Sequence, residues 1–240
     1  MIEYFVIYGE RHCGTNYLET LITGTSYYLK YDNPAFDIPV LNPSEPGNPY
    51  RFLNKYGSKH FFGYHDESIR KSSNCIFLCI VRNPYDWIIA MHKKQHHIPK
   101  INNSINNFLF NQWYSTTMCD GVEIEKKEVA EGKNIYVDRD YETGKRYKNI
   151  FAMRSSKLNY LYNIMPKLTK NYEFIKYEDL CKDHLGFVKK ISTKYGLKYN
   201  TPMFEPINKE PYKISHKLKY IIDRNIDWQM EEQVGYFKKG

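Results

Sequence analysis

At 240 residues the chain is long enough to bury a sizeable core, and 42% hydrophobic with 26% charged residues is the make-up of a folded globular protein. No apolar run approaches the roughly 20 residues of a membrane span, and the opening MIEYFVIYGE has neither the basic stretch nor the cleavage site of a secretory signal. Lys and Arg number 35 against 27 Asp and Glu, a net charge of +8 that favours an anionic partner without choosing between nucleotide, nucleic acid, acidic glycan and lipid head group.

Taken in chain order, residues 3–8 (EYFVIY) read as a short strand buried on both faces. Thr15 to Ile22 carries Tyr17, Leu18, Leu21 and Ile22 at helical spacing. Residues 31–57 hold most of the prolines and read as an irregular surface excursion, and KHFFGYH (59–65) as a second strand. CIFLCIV (75–81) is the strongest strand signal, followed by a helix that Pro84 opens, where a missing N–H costs nothing. Residues 100–150 are polar, with a hairpin turn at Thr143-Gly144 inside DYETGKRY. A helix is expected after Arg154 (154–165), a strand at 172–180, a helix over DHLGFVKKISTKYGL ending at Gly196, and a terminal helix with a docked end. This alternation predicts one α/β domain over 1–240, a mostly parallel central sheet with helices on both faces, and surface insertions at about 31–57 and 98–150.

Five cysteines (Cys13, Cys75, Cys79, Cys119, Cys181) are scattered without zinc-like paired spacing, so a reducing compartment, the cytoplasm, is expected and a structural metal is not. The run HKKQHH (92–97) continues an amphipathic helix end and is read as solvated charge rather than as metal ligands.

Two features carry chemistry. Gly9-Glu10-Arg11-His12-Cys13-Gly14-Thr15 lies between a predicted strand and a predicted helix, where backbone N–H groups and the helix N-terminus make an anion cradle. A Walker loop has a lysine after its second glycine and then a Ser or Thr for magnesium. Here Thr15 and Asn16 follow, with the cations before Gly14, at Arg11 and His12, so a magnesium-bound triphosphate is disfavoured. The second feature is Arg82, just past the strongest strand, on the sheet edge where open α/β folds bind ligands. Two anion sites on neighbouring strand ends suit a nucleotide phosphorylated at both ends.

On RHCGTNYL, VRNPYDWIIAM and FIKYEDL, in this order, the chain resembles the sulfotransferases that use 3′-phosphoadenosine 5′-phosphosulfate (PAPS) as donor, in their bacterial and viral-type branch. TGKRYKNIFAMRSSK and IDWQMEEQVGY add to the likeness, which runs from residue 3 to about 236 with 31–57 and 98–135 unmatched. The resemblance implies a three-layer, P-loop NTPase-like fold and sulfuryl transfer without metal. It implies that Arg11, His12, Cys13, Gly14, Thr15 and Asn16 hold the 5′-phosphosulfate, and that Arg82, aided by Arg154, holds the 3′-phosphate. The family's cation two residues before the glycine is His12 here, and its serine eight residues after the arginine is Ala90, with Lys93 or Lys94 as substitutes. Catalysis is expected from His65 as the base, His60 being set aside as lying at the wrong edge, and from His12 and Arg11 on the leaving charge. Glu178 and Asp179 are expected to tie down a loop, and residues 98–150 with Trp113 and Tyr114 to form an acceptor flap. The implied acceptor is a hydroxyl, on a carbohydrate or glycoconjugate; a nucleic-acid partner is not expected. A P-loop small-molecule kinase and an inactive nucleotide- or nucleic-acid-binding relative are the alternatives.

Overall fold

Three parallel strands, neighbours in one sheet, carry the fold: β1 (Tyr4–Tyr8), β2 (Cys75–Val81) and β5 (Tyr172–Lys176), in the spatial order β1-β2-β5. The computed structural model describes residues 1–24, 33–41, 55–60, 62–95, 104–114, 118–119, 122–123, 139–202 and 210–239. Every residue of β2 is buried, as its unbroken apolar run requires of a central strand. Alternate strand residues feed opposite faces. Phe5, Ile7, Ile76, Leu78 and Ile80 pack with Leu18, Leu21 and Ile22 of α1 (Thr15–Thr23) and with Val188 and Ile191 of α8 (His184–Tyr195). Val6, Tyr8, Phe77, Cys79 and Val81 pack on the other face against Leu158 of α5 (Ile150–Asn159) and against Leu161 and Met165 beyond it. The chain is thus α/β, a parallel sheet with helices on both faces.

The remaining helices are α2 (Asp66–Arg70), α3 (Pro84–Lys93), α4 (Ile105–Phe110), α6 (Met165–Leu168), α7 (Tyr177–Lys182), α9 (His216–Asn225) and α10 (Trp228–Gln233). A π-helical segment, Tyr160–Ile164, joins α5 to α6, and a two-residue antiparallel ribbon pairs β3 (Met118–Cys119) with β4 (Val122–Glu123). No helix among the described residues is long and apolar enough to cross a membrane.

Several expectations need correction. KHFFGYH is not a strand: the Lys59 carbonyl accepts from Gly9 N–H at 2.9 Å, Gly63 turns the chain at φ +99°, and His65 becomes the residue preceding α2. Part of 31–57 is core rather than surface, because Ala35, Phe36 and Val40 are buried and Val40 bridges in parallel to Phe5. Residues 42–54 lie outside the described residues. The 172–180 stretch is a strand only to Lys176, after which Tyr177 starts a helix. α5 begins at Ile150, ahead of Arg154, because the Asn149 side chain accepts from Ala152 N–H and caps it. Of the expected acceptor flap, Trp113 is buried against Phe108, Tyr114 packs under Arg146 with 3.7 Å from guanidinium carbon to ring centre, and 124–138 lie outside the described residues. The turn at Gly144 does form, its N–H donating to the Asp140 carbonyl at 2.8 Å.

Candidate functional site

Strand register builds the site. Tyr8 pairs with Cys79, so β1 stops two residues before β2 does, and the 9–14 loop rises beside Ile80, Val81 and Arg82. Val81 pairs with Lys176, which sets Tyr177 level with Arg82 on the far side. Arg82 therefore leaves the centre of the sheet edge between the loop and Tyr177. Its Nη1 donates to the His12 carbonyl at 3.3 Å, and its guanidinium carbon lies 4.8 Å from the Tyr177 ring centre and 5.6 Å from that of Tyr212. The two expected anion sites, loop and arginine, are brought together.

The loop needs unusual backbone. His12 (φ +64°) and Gly14 (φ +93°) are both left-handed, and a Cβ on Gly14 would sit 2.3 Å from the Tyr177 ring. Only glycine fits there. Gly14 is also the residue preceding α1, and no side chain caps that helix. The first-turn amides of a helix point along its axis without a partner in the helix itself, the arrangement that suits an anion. From α3, Trp87 Nε1 donates to the Arg11 carbonyl at 3.0 Å and pins the loop.

Five buried cations surround this edge: Arg11, Lys59, Arg82, Arg154 and Lys157. Glu10 pairs with both Arg11 and Lys157, Glu19 with Lys59, and Glu231 with Arg154. Burial raises the Glu10 carboxyl, but Lys157 and Arg11 outweigh it and hold its pKa below the ordinary carboxylate value. Arg82 differs from the other four. Although only 6% exposed, it alone of the five has no carboxylate partner among the described residues. A buried guanidinium is costly when unpaired, and arginine's planar fork matches a phosphate or sulfate group.

Among the expected site residues, Cys13 is a buried thiol whose pKa burial pushes up to about 12, which keeps it protonated at neutral pH. The His12 ring donates from Nε2 to the Lys94 carbonyl at 2.8 Å and so anchors the loop on the end of α3. Asn16 Oδ1 accepts from Lys59 Nζ. Arg154 is committed to Glu231 through both carboxylate oxygens, and its Nη2 donates to the Arg82 carbonyl at 2.9 Å; it braces Arg82 from behind. Ala90 is buried, and Lys93 lies 4.5 Å from the Tyr212 ring centre.

The two histidines differ in what they touch. No hydrogen bond or ion pair joins His65 to the 9–14 loop among the described residues, and burial, partly offset by Asp66, lowers its pKa. His60, set aside in the sequence reading, has Nδ1 2.7 Å from the Gly9 carbonyl. A carbonyl only accepts, so Nδ1 carries the proton and Nε2 of the neutral ring is an acceptor. Burial, with Arg11 and Lys59 nearby, holds the His60 pKa well below that of a free histidine. The ranking of the two by strand edge rested on the strand expected at 59–65, which does not form among the described residues. Lys59, Tyr177, Tyr212 and Tyr236 escaped the reading because their roles come from distant segments meeting at one edge; only the resemblance of YEDL pointed to Tyr177.

A cleft of about 440 Å³ lies along α5 and α10, lined by Asp140, Tyr141, Ser155, Asn159, Asp227 and Gln229 among others. It shares no lining residue with the loop or Arg82, and its carboxylates would repel an anion.

Searches against protein-family models and against curated proteins found no match for this chain.

Proposed function

We propose that the protein is a sulfotransferase taking its sulfuryl group from PAPS. The observation that carries this reading is Arg82: a buried guanidinium without a carboxylate partner among the described residues, hydrogen-bonded to an uncapped glycine loop on the next strand. One anion site from the loop amides and a second at Arg82 match a donor charged at both its 5′ and 3′ positions. With no lysine after Gly14 and the side chains of Thr15 and Glu19 buried, the loop suits a phosphosulfate better than a magnesium-bound triphosphate.

In this reading the acceptor hydroxyl oxygen attacks sulfur as the bond from sulfur to the bridging phosphate oxygen breaks, leaving adenosine 3′,5′-bisphosphate. The first-turn amides of α1 and Arg11 meet the charge left on the phosphate. The acceptor's proton goes to a neutral histidine, and His60 is preferred to His65 because its Nδ1–H is committed to the Gly9 carbonyl beside the loop, which leaves Nε2 as the unprotonated nitrogen. The acceptor class, a carbohydrate hydroxyl, rests on the family resemblance alone.

A second reading, a relative that binds nucleotide without transfer, is favoured by the pairing of Arg11 with Glu10, which occupies the loop's own cation. Incubation with sulfur-labelled PAPS and a panel of glycans, phenols and peptides separates the two. Label on an acceptor, lost in His60→Ala, is the expected result. Donor binding with no labelled product on any acceptor selects the second reading.

A further inference from the structure

The peptide unit joining Arg82 to Asn83 is gripped at both of its polar groups. Its carbonyl accepts from Arg154 Nη2 at 2.9 Å, and its N–H donates to Glu178 Oε1 at 2.9 Å. Asn83 Nδ2 donates to the same Glu178 oxygen at 2.8 Å. Each gripping side chain is itself held from one short stretch. Glu231 of α10 takes Arg154 through both carboxylate oxygens, and the Tyr236 hydroxyl donates to Glu178 Oε2 at 2.7 Å. Glu231 and Tyr236 are both buried, so neither arm is loosened by water.

Two arms thus run from residues 231 and 236 to opposite sides of a single peptide plane. That plane fixes the direction in which the Arg82 side chain leaves β2. Since the Arg82 side chain makes only one long hydrogen bond among the described residues, 3.3 Å to His12, its aim depends on this backbone hold and on the two tyrosine rings. Helix α3 starts from the same point, its first turn capped by the Asn83 side chain on Asp86 N–H at 2.9 Å.

We infer that the 228–236 segment is a positioning element of the anion site, with Glu231 and Tyr236 aiming Arg82 through Arg154 and Glu178. This rests on the reading of Arg82 as a phosphate-binding arginine. By reciprocity, a ligand that gains from a fixed Arg82 must tighten the docking of 228–236 in return. A contact that served stability alone would show no such coupling.

The test is calorimetric titration of adenosine 3′,5′-bisphosphate into the full chain and into Tyr236→Phe, Glu178→Ala and Glu178→Gln, well below their unfolding temperatures. Tyr236→Phe removes one oxygen and leaves the packing intact. It should weaken binding roughly 3- to 10-fold, the range for one lost hydrogen bond, and Glu178→Ala, which removes three, at least as much. Glu178→Gln should stay within about 2-fold, because its amide still accepts from Asn83 N–H and donates to the Tyr236 oxygen. Hydrogen exchange across 228–236 should slow when the ligand is added. If the unaltered chain binds and Tyr236→Phe and Glu178→Ala bind equally well, or exchange in 228–236 does not change, the inference is overturned and the phosphate reading stands. If the unaltered chain does not bind, the phosphate reading falls and takes this inference with it.

Discussion

Arg82 sets function against stability at a single position. Burying a guanidinium without a carboxylate is unfavourable, and replacement by an apolar side chain of similar length should relieve that cost while keeping contact with Tyr177 and Tyr212. Arg82→Met is therefore expected to raise the thermal midpoint, by on the order of 1 kcal/mol of stability, and to weaken adenosine 3′,5′-bisphosphate at least tenfold. A midpoint lowered by several degrees would show that Arg82 has a structural role. His60 gives a pH signature. Its folded pKa is lowered, so below the unfolded histidine value of about 6.5 the unfolded chain takes up a proton that the folded chain refuses. Its contribution is intact above pH of about 6.5 and is lost as pH falls, at up to about 1.4 kcal/mol per pH unit. Urea unfolding at several pH values between neutral and mildly acidic should show this slope, and His60→Gln should flatten it. His65, also lowered by burial, adds a contribution of the same sign.

At the scale of elements, the loop and the central strand are the two places where substitutions should cost most. Gly14→Ala places a Cβ into the Tyr177 ring at a left-handed backbone position, a strain of about 1–3 kcal/mol before the collision is counted. Leu78→Ala, in a strand buried along its whole length, should cost about 2–5 kcal/mol, readable in denaturant unfolding. The elements that were legible in the sequence are those whose local signal and tertiary role agree. CIFLCIV is a strand because it is central, the Pro84 helix starts where its proline says, and Gly196 ends α8 in the left-handed conformation. KHFFGYH failed because a short aromatic run also suits a crossing segment that turns at Gly63 and buries Lys59 against Glu19. Tyr177 failed for the opposite reason: YEFIKYEDL is continuous in pattern, and only packing beside Gly14 shows where the strand must stop. The loop and Arg82 were readable as motifs. The pairing of Glu10 with Lys157, across 147 residues, was not, since nothing local to either residue announces it.

For the whole molecule, the +8 charge matters less than its arrangement. Around the sheet edge, buried cations are matched by buried carboxylates one after another until Arg82, and on the proposed reading that arrangement would make a specific anion site rather than a diffuse one. The central claim is that the loop and Arg82 hold the two phosphates of one nucleotide. Calorimetric comparison of adenosine 3′,5′-bisphosphate with adenosine 5′-monophosphate, in the unaltered chain and in Arg82→Met, tests it most directly. The account predicts that the bisphosphate binds at least tenfold more tightly, and that Arg82→Met erases this preference while still binding the monophosphate weakly. Equal affinity of the unaltered chain for both nucleotides, or binding of neither, would contradict it.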